Sequence, residues 1–180
     1  MNAGPGAVAQ AFVHESHHTK IPTLTGWWGV DPEEQFLMKD DFVPAQGADA
    51  YQISTPNILS MVALYASLEL IDAVAISKIW SKNQDLSSFL ISALQALSRR
   101  LPDDSFRILS PTDPERRGAQ VSVSFGSRGN EIFNALIEKG VVVDWREPDV
   151  IRMAPTALYN TYVEIYEVVH MIERKLLGSE

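Results

Sequence analysis

Gly26-Trp27-Trp28-Gly29, with Gln52-Ile53-Ser54-Thr55-Pro56-Asn57-Ile58-Leu59 downstream of it, is the stretch from which the rest of the chain is read. Two adjacent tryptophans carry a large apolar area and two indole N–H donors, and flanking glycines let another backbone or a ligand come close. Two readings stand. The indoles complete a core, or something flat or anionic docks on them. Thr55-Pro56 is helix-start chemistry, with the threonine hydroxyl as cap and proline in the first helical position. A helix is therefore predicted from Pro56 to about Trp80, apolar nearly all round from Ile58 and Leu59 to Ile76 and Ile79. Such a helix needs cover on several sides, from other domains or subunits.

Downstream, Leu86, Phe89, Leu90, Ala93, Leu94, Leu97 and Leu101 make the stripe of a second helix, stopped by Pro102. The pattern then changes to α+β. Short strands are predicted at Phe106–Ser110, Val141–Trp145 and Val150–Met153. Gln120–Phe125 alternates strictly, with Val121, Val123 and Phe125 inward. Asn130–Lys139 reads as an amphipathic helix with Gly140 as its left-handed cap. Thr161 and Glu164 form a capping box for a last helix, Tyr162–Leu177. The whole predicts a small antiparallel sheet with helices on one face from about residue 82 onward.

Upstream, Met1-Asn2-Ala3-Gly4-Pro5-Gly6 is turn chemistry, and Ala7–His14 reads as a short strand through Val8, Phe12 and Val13. A turn leading into a buried strand without neighbours suggests a chain entered in the middle. That opening has no basic region and no long apolar core, so it does not read as a signal peptide.

The 180 residues carry a net charge of −8 and a sequence pI near 5.0, which argues against nucleic acid or an anionic membrane as the main partner. With no cysteine there is no disulfide and no thiolate metal site, in keeping with a reducing compartment. Ile58–Ile79 is apolar but contains Glu69, Asp72 and Lys78, so it reads as a buried helix of a soluble protein rather than a membrane span.

Three further groups could carry chemistry. His14-Glu15-Ser16-His17-His18 satisfies the zinc-hydrolase pattern H-E-x-x-H, which requires a helix so that both imidazoles share a face. The flanking residues read as strand and Pro22 follows closely, so the expected metal ligands are none. Arg152, in an apolar strand, needs a carboxylate for its planar fork, from either an internal Asp or Glu or a substrate. Glu115-Arg116-Arg117-Gly118 reads as a solvated turn.

Taken together, eight pieces in order resemble the second half of the kynureninases. They are Met1–Gly6, Ala11–Glu15, Gly26–Gly29, Gln52–Pro56, Ala66–Glu69, Glu115–Gly118, Lys139–Asp144, and Ile151–Pro155 followed by Leu158-Tyr159-Asn160. The resemblance implies an α/β fold, the C-terminal part of the aspartate-aminotransferase type of pyridoxal-phosphate-dependent transferase fold. Residues 1–81 would end the large cofactor-binding domain with a strand, the Trp loop and a long linking helix. Residues 82–180 would be the small C-terminal α+β domain. It implies hydrolysis of L-kynurenine or 3-hydroxykynurenine to anthranilate or 3-hydroxyanthranilate and L-alanine, in tryptophan catabolism and NAD biosynthesis. The implied setting is a cytoplasmic homodimer with pyridoxal 5'-phosphate as cofactor.

By position in the family, Trp27 would contact the cofactor phosphate through its indole N–H, and Trp28 would line the aromatic substrate pocket. Thr55, where the family often has asparagine, would lie near cofactor and substrate, and Arg152 would hold the substrate carboxylate. Catalytic residues in this chain are none. The family's Schiff-base lysine precedes the residues matching Met1, and Lys20, Lys39, Lys78, Lys82, Lys139 and Lys175 stand in other contexts. The chain alone is therefore expected to be inactive, completed by an N-terminal half and a second subunit, and prone to associate. Two other readings remain: a non-catalytic remnant or partner-binding fragment of the same fold, and a small zinc hydrolase.

Overall fold

The computed structural model describes Gly4 and residues 6–178. Met1, Asn2, Ala3 and Pro5 of the opening turn lie outside the described residues, and Ala7 N donates to Gly4 O at 3.3 Å across that turn. The chain forms two compact units, residues 1–73 and 74–180.

The first unit is built from 3-10 turns at Glu15–His17, Trp27–Gly29, Gln35–Leu37 and Gly47–Tyr51, and then helix α1, Ile58–Val74. The strand expected over Ala7–His14 is not formed. A strand exists through its neighbour's backbone groups, and no described residue pairs with this segment; its Phe12 is exposed. Helix α1 begins later than Thr55-Pro56 suggests. Asn57 is the cap, its Oδ1 accepting from Ser60 N at 3.2 Å and its carbonyl from Met61 N at 3.0 Å. The expected burial of this helix is not met, because Leu64 is its one buried residue.

A single helix to Trp80 is also not what forms. Helix α1 stops at Val74, Ala75 takes a left-handed φ of 75°, and α2 runs Ile76–Ser98. No glycine or proline marks this break. The break expected before Leu86 is absent, because Ser81–Asp85 contains nothing that stops a helix, and two of its polar side chains are engaged. Lys82 Nζ donates to Ala157 O at 2.7 Å, and Ala157 N donates to Asn83 Oδ1 at 2.8 Å.

The second unit holds a four-stranded antiparallel sheet: β1 Arg107–Ile108, β2 Val121–Ser124, β3 Asp144–Arg146 and β4 Val150–Met153, in the order β1-β2-β4-β3. Val121 pairs with Met153 and Val123 with Ile151, and all four are buried. They pack with the α2 stripe (Leu86, Leu90, Leu94, Leu97), with Ile132 and Leu136 of α3 (Gly129–Glu138) and with Ile165 and Ile172 of α4 (Tyr162–Leu176). The alternating positions Ser122, Ser124 and Arg152 lie on the other face.

Local signals set the helix ends. Gly140 (φ 78°) closes α3, with Gly140 N on Ile137 O and Val141 N on Leu136 O, both 2.9 Å. That cap shortens the strand expected over Val141–Trp145, since Val141 N is used by the helix; Val142 is exposed, and pairing starts at Asp144. Thr161 and Glu164 form the capping box of α4: Glu164 N donates to Thr161 Oγ1 at 3.2 Å, and Thr161 N donates to Glu164 Oε2 at 2.7 Å.

Leu94→Ala is expected to cost about 2–5 kcal/mol in the second unit, by lost apolar contact and the cavity left behind, read as a lower urea midpoint. Hydrogen bonds from the Thr161 backbone, then the Thr161 hydroxyl, hold the Glu164 carboxyl below its ordinary pKa. A depressed folded-state pKa contributes stability above the unfolded value that is lost as pH falls through the folded one. The stability gap between the parent and Glu164→Gln should thus be present near neutral pH and shrink below the ordinary carboxylate range, followed by denaturation at stepped pH.

Candidate functional site

The Trp loop is shaped by backbone contact. A Cβ on Gly26 would lie 2.1 Å from Ile53 O, and one on Gly29 would lie 2.5 Å from Ala50 O. Both positions therefore require glycine, so that residues 26–29 can lie against residues 50–53. On its other side Ala45 N donates to Gly29 O and Asp31 N to Val43 O, each at 2.8 Å.

This clamp leaves the tryptophans out of any core: Trp27 is 44% and Trp28 43% exposed. Trp28 Nε1 donates to Thr55 Oγ1 at 2.9 Å. With Asn57 acting as the helix cap, the Thr55 hydroxyl is free for that bond. Trp27 packs edge-on to Phe36, centroids 5.6 Å apart, and its carbonyl accepts from Gln35 Nε2 at 2.8 Å. Its Nε1 has no acceptor among the described residues. The loop thus offers two half-exposed indoles, one N–H satisfied and one unused.

Arg152 belongs to the second unit, and its partner is internal. Its Nε donates to Asp144 Oδ2 at 2.6 Å and its Nη2 to the same oxygen, which also takes Arg146 Nη2 at 3.1 Å. Strand pairing sets this up, since Asp144 sits directly across from Arg152. Sequence reasoning left the partner open. The alternation of Asp144 and Arg146, facing one side of a strand ahead of a short turn, was the signal that could have found it. Arg152 Nη1 has no acceptor among the described residues. Structure thus brings Trp28 and Thr55 together and holds Trp27 beside them in one unit, while Arg152 stands with Asp144 in the other.

The His14–His18 pattern does not form the α-helix its metal chemistry needs. It is a 3-10 turn in which the His14 ring accepts from Ser16 N at 3.2 Å and His18 Nε2 lies 3.0 Å from Val13 O. No metal-binding cluster is present among the described residues. Arg117 departs from the solvated turn expected of it. Its Nη2 donates to Ser88 Oγ on α2 at 2.7 Å, and its Nε and Nη1 are buried without an acceptor. No single helix among the described residues is long and apolar enough to cross a membrane.

The chain is 37% identical to a kynureninase of Flavobacterium johnsoniae over 181 residues, covering 99% of this chain and 42% of that protein. It is 42% identical to a kynureninase of Stenotrophomonas maltophilia over 178 residues, covering 96% and 41%. The chain thus spans about two fifths of the length of the curated relatives it matches. Among solved structures it is similar to an apo cysteine desulfurase of Thermococcus onnurineus (TM-score 0.67, 16% identity, 87% of this chain and 40% of that one). It is also similar to a mutant of C-DES with glycine covalently linked to its PLP cofactor (TM-score 0.63, 19% identity, 88% and 38%). These likenesses establish the pyridoxal-phosphate-dependent transferase fold expected from the sequence. The kynureninase C-terminal domain family matches residues 79–172, the stretch that holds the sheet, α3, most of α2 and α4 and the Arg152–Asp144 pair, and the chain belongs to that family.

Proposed function

We propose that this chain is the C-terminal portion of a kynureninase, hydrolysing L-kynurenine or 3-hydroxykynurenine to anthranilate or 3-hydroxyanthranilate and L-alanine within a complete enzyme. The observation that carries this reading is similarity to kynureninases along 99% of the chain. Residues 1–81 would close the large domain and residues 82–180 would form the small one. The reading places the enzyme in cytoplasmic tryptophan catabolism towards NAD. Its partners are the remainder of a kynureninase chain and a second subunit, which would cover the exposed apolar faces of α1.

The residues present fit pyridoxal 5'-phosphate. The half-exposed indole of Trp27 has an N–H with no acceptor among the described residues, suited to a phosphate oxygen. When bound, the cofactor supplies an electron sink for bond cleavage at the substrate. Trp28, oriented by Thr55, would form a flat wall for the substrate's aromatic ring. Asp144 holds one edge of the Arg152 guanidinium, leaving Nη1 and the second Nη2 proton as an end-on fork for the substrate α-carboxylate. No lysine here takes the Schiff-base role, so the chain alone would be inactive. The non-catalytic, partner-binding reading draws on the exposed apolar side chains of α1.

Supplying the part of the Flavobacterium johnsoniae kynureninase that this chain does not match, as a separate polypeptide with cofactor, should restore kynurenine hydrolysis. In that assembly Arg152→Ala should raise KM about 10- to 100-fold, from the ~1.5–3 kcal/mol of a charged hydrogen bond. Tight association without hydrolysis would favour the partner-binding reading. Independently of activity, Thr55→Val should free the Trp28 indole N–H to exchange with water, shifting its proton NMR resonance, while Thr55→Ser preserves it. The expected cost is about 0.5–1.5 kcal/mol.

A further inference from the structure

We propose that the groove between α3 and α4 binds a small amphipathic carboxylate, with an aromatic or branched aliphatic body and a single anionic head. The groove is a cavity of about 250 Å³. Its floor is apolar: Ile132 and Leu136, fully buried in the core, with Ala135 and Met171 half-exposed above them. Its rim carries three cations, Lys139, Arg174 and Lys175, against one carboxylate, Glu138. In a chain of net charge −8 that is a local reversal of sign.

Basic residues near helix C-termini ordinarily complement the helix dipole and free carbonyls. Here that work is done by other groups. The carbonyls at the end of α4 accept from Arg128, Nη2 to Lys175 O at 2.5 Å and Nη1 to Leu176 O at 2.7 Å. Those at the end of α3 are closed by Gly140 N and Val141 N. No ion pair engages the Lys139, Arg174 or Lys175 side chains among the described residues. Lys175 also feels the Glu131 carboxylate, which leaves Lys139 and Arg174 as the cations most available at the edge of an apolar floor, a match for a ligand whose two ends differ in the same way. A volume equal to roughly eight waters' share of the liquid admits one ring or a short branched chain and excludes a long acyl chain.

The test is an NMR titration of the full chain with benzoate, benzyl alcohol and inorganic phosphate. Benzoate is expected to shift Ile132, Leu136 and Met171 saturably, with benzyl alcohol and phosphate each about 10-fold weaker or more, since each lacks one half of the recognition. Lys139→Glu and Arg174→Glu, both at exposed positions, should weaken benzoate about 10-fold each while leaving the spectrum dispersed. Ala135→Phe, which fills the cavity and keeps every charge, should abolish binding. The proposal is overturned by the absence of saturable shifts, or by benzyl alcohol or phosphate binding as tightly as benzoate. Shifts confined to Trp28, Thr55 or Arg152 would overturn it too, placing the carboxylate at the other site. None of these outcomes depends on kynurenine hydrolysis.

Discussion

The pairing register between Val121–Ser124 and Val150–Met153 is the constraint on which the second unit rests. Side chains on a strand alternate between two faces, so one register assigns every residue of both strands at once. In this one Val121, Val123, Ile151 and Met153 face the helices, and Ser122 and Arg152 face away. A slip of one residue would drive the Arg152 guanidinium among Leu94, Ile132 and Ile172, where an unpaired charge costs several kcal/mol. The same register places Asp144 of the third strand beside Arg152. The ion pair on the open face and the apolar packing on the covered face are two consequences of one alignment.

The first unit depends on a different constraint, the closeness of two backbone segments. Gly26 and Gly29 have no room for a side chain, because the carbonyls of Ile53 and Ala50 occupy it. The indoles between them stay half-exposed, and Thr55, two residues past Ile53, falls within reach of Trp28. A loop that exposes two tryptophans at fixed positions is held by a rigid base. The glycines that a ligand could have required are required by the chain itself.

What was legible in the sequence was what neighbours along the chain decide. The Thr161–Glu164 box, the Gly140 cap, the alternation of Val121–Phe125 and the Leu86–Leu97 stripe each follow from a few adjacent residues, and each is present. What failed was decided from outside the segment. Ala7–His14 has strand composition but no ladder partner. Val141 has strand chemistry, but its N–H belongs to a helix cap. Thr55 and Asn57 are both competent caps, and the presence of Trp28 beside Thr55 goes with Asn57 taking that place. At the site, Trp27, Trp28, Thr55 and Arg152 stood out by residue type and pattern, but their roles came from family resemblance. The Asp144 partner and the Trp28–Thr55 bond are tertiary facts that no local pattern states. Arg117 was misread for the same reason: a turn sequence says nothing of the helix packed beside it.

Helix α1 raises an energetic question that its own unit does not answer. It has 17 residues, little more than the ~12–15 at which isolated helices are marginal, and Leu64 alone is buried. Ile58, Leu59, Met61, Val62, Tyr65 and Leu70 all stand exposed. Covering side chains of this kind is worth about 1.5–3 kcal/mol each, so the set represents on the order of 10 kcal/mol. That is comparable with the ~5–15 kcal/mol net stability of a whole domain. A helix apolar on every side gains from cover and loses little by being sheathed, whereas a surface helix would carry a polar face. In the proposed reading the relatives' additional three fifths of chain and a second subunit supply that cover. The helix is then a structural spine whose stability comes from its partners.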